Sequence, residues 1–242
     1  MKSDLDQLLQ DHQADALWVT GPAQHNPPMV YLTGGGHMTQ ADVIKPVGAQ
    51  AVLCHAPMER DEAKRTGLQT LNYNKFPLKE RLKLAEGDRL IAHALLYKNI
   101  FEEIGLTSGK ILVYGRTDAG KHYSTIQKLQ ELLPHLSFEG DLDDAVLLQA
   151  MATKDPSEIE RIRQMGKTVL KVVSRVADFL TGHQVINEVL TKSDGTPLLI
   201  GDVKGQINLW LAELGAENPE DTIFAIGRDA GVPHSSGTLS DP

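Results

Sequence analysis

The stretch that decides the organisation of this chain reads Thr153-Lys154-Asp155-Pro156-Ser157-Glu158-Ile159-Glu160-Arg161-Ile162-Arg163. Within it, Asp155 is a preferred N-cap residue, Pro156 suits the first helical position, and Glu158 lies where a capping box requires a carboxylate. A long helix is therefore predicted to begin at Pro156. Its apolar residues recur at spacings of three and four and form one stripe that ends before Gly182: Ile159, Ile162, Met165, Val169, Val173, Val176 and Leu180. This helix is predicted to open a second domain, which divides the chain into residues 1–150 and 151–242.

The residues before this helix alternate between short apolar runs and longer segments with a period of 3.6, a pattern typical of a layered α/β domain. Strands are predicted near residues 16–20, 41–45, 50–55, 69–73, 110–114 and 136–139. Helices are predicted near residues 3–12, 58–66, 88–104 and 119–133, with a short helical turn that opens at 26–28 and a short helix after residue 144. Residues 1–150 are therefore predicted to form a sheet covered by helices.

After the long helix, a second helix is predicted near residues 202–214. A strand at residues 222–226 is then predicted to enter a loop over residues 227–237 that is rich in glycine, proline and serine. This loop also holds Arg228, Asp229 and His234, and catalytic side chains are often carried by such loops. The composition of this loop is compatible with two interpretations, a functional loop or a simple surface hairpin.

Composition excludes several classes of protein. The chain has 24 Lys and Arg against 32 Asp and Glu, a net charge of -8, and no stretch of 18 apolar residues or signal-peptide core. Nucleic-acid binding and membrane insertion are therefore not expected, and the chain is predicted to be cytoplasmic. The single cysteine, Cys54, lies in an apolar run and is predicted to be a buried, inert thiol.

Local patterns give no complete catalytic or metal site. The run from Gly115 to Lys121 has the context of a phosphate-binding loop, but His122 stands where the hydroxyl ligand of magnesium would be needed. A helix-capping turn at Thr117 or Asp118 is the preferred interpretation. No paired-histidine or paired-cysteine metal motif occurs, and the carboxylates at positions 141, 143 and 144 are interpreted as helix caps rather than a cation site.

Three stretches resemble motifs that occur together in one protein family. The stretch 153–163 is similar to the linker and first helix that open the catalytic domain of the family. Residues 226–234, Ile-Gly-Arg-Asp-Ala-Gly-Val-Pro-His, resemble its small-Gly-x-x-(Ala/Gly)-x-x-Pro-His loop, and residues 26–34 resemble the Asn-x-x-Tyr-Leu-(Thr/Ser)-Gly motif of its N-terminal domain. The three motifs occur in the order that they have in the family of aminopeptidase P, prolidase and creatinase, which this chain therefore resembles.

The resemblance implies a creatinase-like N-terminal α/β domain of ribonuclease-H-like type, followed by the N-terminal part of an α+β pita-bread domain. It implies two divalent metal ions (Mn, Co or Zn) in the complete enzyme, bound by Asp, Asp, His, Glu and Glu. His234 matches a histidine that lies beside the substrate and stabilises the attacked peptide bond. The ligands are expected after residue 242, so no metal is expected in this chain. Five residues of this chain follow the order of the family's metal ligands: Asp144, Asp155, His183, Glu213 and Glu217. They are rejected as a metal site because Asp144 lies before the domain linker and Asp155 is interpreted as the helix cap.

The leading hypothesis is that the chain is the N-terminal portion of a Xaa-Pro peptidase that cleaves proline-containing peptides, inactive by itself. The resemblance also implies a homodimer. Two alternatives remain open at this point: a non-catalytic binding or dimerisation module with a creatinase-like fold, and a creatinase-type hydrolase of a small amidino compound.

Overall fold

A computed structural model describes residues 2–242 of the chain. The chain divides into two compact units, Met1–Lys154 and Asp155–Pro242. Each unit has its own secondary structure and its own apolar core.

The first unit contains six strands, seven α-helices and three 3-10 turns among its described residues. The strands are β1 (Ala16–Gly21), β2 (Ala41–Pro46), β3 (Val52–His55), β4 (Gln69–Asn72), β5 (Gly109–Gly115) and β6 (Leu136–Gly140). The helices are α1 (Leu5–Asp11), α2 (Pro27–Thr33), α3 (Arg60–Arg65), α4 (Leu78–Leu84), α5 (Arg89–Glu103), α6 (Ala119–Leu132) and α7 (Ala145–Ala152). The 3-10 turns are Lys2–Asp4, Pro57–Glu59 and Tyr73–Lys75.

The six strands form one mixed sheet in the order β4-β3-β2-β1-β5-β6. Strand β2 pairs antiparallel with β1 and with β3, while the β1–β5, β3–β4 and β5–β6 pairs are parallel. In the central strand β1, Trp18 lies opposite Ile44 of β2 and opposite Val113 of β5.

The alternation of side chains along β1 explains the two cores of this unit. Leu17 and Val19 belong to a cluster that includes residues of α1, α2 and α7, whereas Ala16 and Trp18 belong to a cluster with residues of α5 and α6. Because successive side chains of a strand point to opposite faces, the sheet is covered on both sides. This arrangement confirms the predicted α/β class, and all six predicted strands of residues 1–150 are present.

Two details of this unit concern the sequence predictions. Helix α4 was not expected, because it has only seven residues and follows Pro77 without a side-chain cap. Cys54 is fully buried, as predicted, and burial raises the pKa of its thiol well above the ordinary value.

The second unit contains α8 (Pro156–Thr181), a hairpin of β7 (Gln184–Ile186) and β8 (Val189–Thr191), α9 (Ile200–Glu213) and the short helix α10 (Gly227–Ala230). Helix α8 has the predicted capping box: the Asp155 carboxylate accepts from the Glu158 N–H at 2.9 Å, and the Glu158 carboxylate accepts from the Asp155 N–H at 2.8 Å. The core of this unit is small. Its buried apolar residues among those described are Val172, Leu198, Ile200, Val203 and Ile207.

The strand predicted at residues 222–226 was wrong. These residues belong to no strand, although the Phe224 N–H donates a backbone hydrogen bond to the Ser236 carbonyl at 3.4 Å. A strand needs a neighbouring strand to satisfy its backbone, and the sheet of this unit consists of β7 and β8 alone. The hairpin of these two three-residue strands was not predicted.

None of the helices formed by residues 2–242 is long and apolar enough to cross a membrane.

Candidate active-site loop

The loop predicted to be functional, residues 227–237, is compact and mostly exposed. It opens with α10, and turn-like backbone bonds follow, from Gly231 N–H to the Arg228 carbonyl and from Val232 N–H to the Asp229 carbonyl, both at 3.0 Å. The Thr238 hydroxyl closes the loop by donating to the Asp229 carboxylate at 2.8 Å. The loop is therefore held by its own contacts, unlike a simple strand-to-strand hairpin.

A buried lysine ties the far end of the loop to α9. The ammonium group of Lys204, which is 6% exposed, donates to the Ser236 carbonyl at 3.1 Å and to the Asp221 carboxylate at 2.5 Å. The hydrogen bond from Lys204 is the main cause that lowers the pKa of Asp221. A buried ammonium group needs such partners, so this position is well defined.

Gly237 permits the close return of the loop. Its φ is +88°, and a Cβ built there would lie 2.1 Å from the Phe224 carbonyl oxygen. Only glycine adopts this conformation without strain and leaves space for that oxygen. Further along, the Leu239 and Asp241 carbonyls accept from the N–H groups of Gly201 (2.9 Å) and Ile200 (2.8 Å), which satisfies backbone donors in the first turn of α9.

His234, the predicted catalytic residue, lies at the exposed tip of this loop. Its φ is +62°, in the left-handed region. Within residues 2–242 its imidazole has no hydrogen-bond or ion-pair partner. The ring is thus presented on a fixed backbone with both nitrogens available for a ligand.

The structure does not bring metal ligands to this loop. Across the described part of the chain, no group of three or more His, Cys, Asp or Glu side chains could hold a metal ion. Three side chains of the rejected set have local partners instead: Asp155 caps α8, the His183 Nδ1 donates to the Phe179 carbonyl at 2.7 Å, and Glu213 accepts from Arg175 at 2.7 Å. The residues present therefore do not fit a dinuclear metal centre.

The two other candidate patterns also have structural roles. Asp118 caps α6 by accepting from the Lys121 N–H at 2.7 Å, as predicted for the turn that resembles a phosphate loop. Asp141 accepts from the Tyr114 hydroxyl at 2.8 Å and from the Val146 N–H at 3.4 Å near the start of α7. The Asp144 side chain makes no capping bond, so the capping interpretation holds for Asp141 and not for Asp144.

Much of the apolar stripe of α8 is exposed. The exposed fractions are 44% for Ile159, 58% for Ile162, 50% for Met165, 46% for Val169 and 57% for Val173. A groove of about 460 Å³ runs along this stripe between α8 and α9. Its apolar lining is Met165, Val169, Val172, Val173, Val176, Ile207, Leu211, Ile223 and Phe224.

Sequence reasoning did not detect a cluster of basic side chains between α4, α5 and α6. Arg81, Arg89, His93 and Lys121 line one cavity there. These residues come from three separate helices, so no local motif announces them. The one signal was Lys121, which the phosphate-loop pattern had singled out.

Comparison with known proteins gives matches by structure alone. No protein-family model matches the sequence, and no curated protein matches it. Among solved structures, prolidase from Pyrococcus furiosus matches 99% of the chain with a TM-score of 0.64 and 18% identity. Prolidase from Pyrococcus horikoshii matches 99% with a TM-score of 0.62 and 17% identity, and X-Pro aminopeptidase from Thermotoga maritima matches 99% with a TM-score of 0.61 and 14% identity.

These matches confirm the predicted fold class, a creatinase-like α/β domain followed by the N-terminal part of a pita-bread fold. The chain spans 61%, 56% and 57% of the lengths of these three structures. At this level of identity the likeness concerns the fold.

Proposed function

We propose that this chain is the N-terminal portion of a Xaa-Pro peptidase, which hydrolyses the peptide bond before proline. The observation that carries the proposal is the fold match to two prolidases and an X-Pro aminopeptidase over 99% of the chain. The Gly-x-x-(Ala/Gly)-x-x-Pro-His pattern of residues 227–234 adds to it, because it resembles a loop of the same family.

In this proposal His234 is the catalytic residue of the chain. A neutral imidazole can donate one hydrogen bond to the oxygen of the attacked carbonyl, and that bond strengthens as negative charge develops on the oxygen. The exposed imidazole of His234 supports this role. So does the anchoring of its loop by Lys204, because a donor held in place before the reaction loses little freedom when the substrate binds.

The proposed activity requires two metal ions, whose ligands must come from other residues. Two divalent ions (Mn, Co or Zn) supply Lewis-acid chemistry when they are bound in enzymes of this family type. The residues described here do not fit such a centre, so the proposal assigns all of the ligands to polypeptide outside residues 1–242.

The exposed stripe of α8 supports the need for further polypeptide. Soluble proteins rarely expose a continuous apolar surface of this extent without a partner. The proposed occupant is the remainder of the catalytic domain, which would cover Ile162, Val169 and Val173. On this account the second unit has a small core because part of the core is contributed from elsewhere.

Calorimetric titration of the 1–242 chain with Mn²⁺, and then with Zn²⁺, tests the assignment of the ligands. We expect no tight binding and no hydrolysis of Ala-Pro or Ala-Pro-Ala by this chain. Stoichiometric tight binding of two ions would contradict the proposal, because it would require a ligand set within residues 1–242.

Substrate comparison separates this proposal from its alternatives in the complete protein. Cleavage of Xaa-Pro dipeptides and longer Xaa-Pro peptides is expected. Turnover of creatine without peptide cleavage would favour a creatinase-type hydrolase. Absence of both activities would favour a non-catalytic binding or dimerisation module. A homodimer and a cytoplasmic location are further parts of the proposal, to be tested by light scattering and by cell fractionation.

A further inference from the structure

A cavity of about 530 Å³ lies within the first unit, between α4, α5 and α6. Its lining is Leu78, Arg81, Leu82, Arg89, Leu90, His93, Lys121, Ser124 and Thr125. The lining therefore combines leucine side chains with basic groups and hydroxyl groups, and it contains no carboxylate. In a chain of net charge -8, such a one-sided concave surface needs an explanation.

The most buried basic side chain of the cavity, Arg81, is held in one orientation by hydrogen bonds. Arg81 is 7% exposed, and it donates from Nε to the Phe76 carbonyl at 2.9 Å and from Nη1 to the Ala92 carbonyl at 2.5 Å. These two bonds use part of the five donors of a guanidinium group. Its Nη2 donates to no residue within 2–242, and Arg81 forms no ion pair there. The remaining donors of this guanidinium are therefore available to an acceptor in the cavity.

The other basic groups are also unpaired. Within the described part of the chain, Arg89 and Lys121 take part in none of the ion pairs, and the His93 ring makes no hydrogen bond. The capping carboxylates of α5 and α6, Asp88 and Asp118, accept from the backbone N–H groups of Ile91 and Lys121. Neither carboxylate lines the cavity.

Electrostatics agrees with this geometry. Burial lowers the pKa of His93 to about 4, and the positive charges of Lys121, Arg81 and His122 add to the effect. The neighbours that act on His93 are thus cationic. An anion in the cavity would reverse this unfavourable field.

We propose that this cavity binds a small organic anion that has a phosphate group and an apolar part. Phosphate offers several acceptor oxygens, which suits the guanidinium groups of α4 and α5 together with the Lys121 ammonium and the Ser124 hydroxyl of α6 better than a carboxylate does. The side chains of Leu78, Leu82 and Leu90 would contact the apolar part. This inference concerns the first unit alone and does not depend on the proposed peptidase function.

The test uses the 1–242 chain and phenyl phosphate as the probe, with binding measured by calorimetry. We expect phenyl phosphate to bind more tightly than inorganic phosphate and than benzoate. The double variant Arg89→Gln/Lys121→Gln should lose at least about tenfold in affinity, because two charge-assisted hydrogen bonds are removed. Lys79→Gln/Lys83→Gln, which removes two exposed charges of α4 that do not line the cavity, is the matched control and should bind as the wild type does.

A second measurement does not depend on a variant. On addition of phenyl phosphate to the wild-type chain, the NMR signals of His93 should shift and the pKa of His93 should rise. Equal affinity of the wild type and the Arg89→Gln/Lys121→Gln variant, or an unchanged His93 signal at saturation, would overturn the inference. Binding to vesicles that contain phosphatidylglycerol without binding to phenyl phosphate would also overturn it, because the ligand would then be a lipid surface rather than a small organic phosphate.

Discussion

At the residue scale, the first unit contains a fully buried carboxylate, that of Asp42, at the centre of its sheet. The Trp18 indole N–H donates to it at 2.8 Å and the Tyr73 hydroxyl at 2.5 Å. Burial nevertheless raises the pKa of Asp42, which means that desolvation outweighs these hydrogen bonds. The sequence predicts β2, but the partner Tyr73 is 31 positions away, so no local pattern could predict this cluster.

The first prediction concerns Asp42. We expect Asp42→Ala to lower the free energy of unfolding by about 2–4 kcal/mol, because two buried donors lose their acceptor. Asp42→Asn keeps one acceptor oxygen and should cost less. Urea unfolding of both variants measures the difference, and equal losses would contradict the assigned hydrogen bonds.

The same residue predicts a pH dependence. Because its pKa is raised on folding, Asp42 binds a proton more strongly in the native state, and its contribution to stability is lost as the pH rises from the ordinary carboxyl range through the raised pKa. The Asp42→Asn variant should lack this loss. Unfolding free energies should be measured from pH 3 upward for the wild type and the variant. The value for the wild type should fall relative to that for the variant as the pH rises through the raised pKa. Parallel curves over the whole range would contradict the raised pKa.

The third residue-scale prediction concerns His93, whose pKa is lowered to about 4. Lys121→Gln removes one of the positive charges that lower it, so the pKa of His93 should rise, as measured by NMR titration. In the wild type the unfolded state binds the proton more strongly, so the contribution of His93 to stability is lost as the pH falls from about 6.5 to about 4. An unchanged pKa in the variant would show that Lys121 does not face the ring.

At the element scale, the accuracy of sequence reasoning follows the range of the interactions that define each element. Helix α8 was predicted from its cap at Asp155 to its end before Gly182, because its signals are local. The strand predicted at 222–226 failed, because a strand is defined by a distant partner that these residues lack. In the same way the site loop was identified by its motif, whereas its anchoring by Lys204 depends on a contact 32 positions away.

The capping box of α8 gives an element-scale prediction. Asp155→Ala should lower the free energy of unfolding by about 0.5–2 kcal/mol, because the Glu158 N–H loses its acceptor. Ser174→Ala, on an exposed surface of the same helix, should stay within about 0.5 kcal/mol of the wild type. A cost for Ser174→Ala equal to that of Asp155→Ala would contradict the role of the cap.

The return of the candidate loop gives another prediction. Gly237→Ala places a Cβ against the Phe224 carbonyl at a positive φ, so the loop should detach from α9. The free energy of unfolding should fall by about 2 kcal/mol or more. Gly231→Ala is the matched control, because the nearest atom to its Cβ would be 3.5 Å away. Hydrogen exchange at the Phe224 and Gly201 amides should accelerate in the first variant only. Equal exchange in both variants would contradict the close approach at Gly237.

At the scale of the whole molecule, the two units differ in how well they bury their apolar residues. The first has a sheet with a core on each face, whereas the second leaves Ile162, Val169 and Val173 about half exposed along one helix. The sequence predicted the stripe but not its exposure, because periodicity identifies an apolar face and does not identify what covers it.

This difference predicts how the 1–242 chain behaves in solution. The chain should bind the dye ANS, and Ile162→Lys/Val169→Lys should reduce its fluorescence while changing the free energy of unfolding by no more than about 1 kcal/mol. Met58→Lys, which replaces a single side chain that is 88% exposed in the first unit, is the control and should leave the dye signal unchanged. A large loss of stability in the double variant would mean that the stripe is already part of a core.

The most direct test is hydrolysis of Ala-Pro and of Ala-Pro-Ala by the product of the complete reading frame, measured with Mn²⁺ for the wild type and for His234→Ala. The account predicts cleavage before proline by the wild type and a kcat lower by about 10²-fold in the variant, because one hydrogen-bond donor to the reacting oxygen is lost. Cleavage of neither peptide by the wild type, or equal kcat values for the two proteins, would contradict the proposed function.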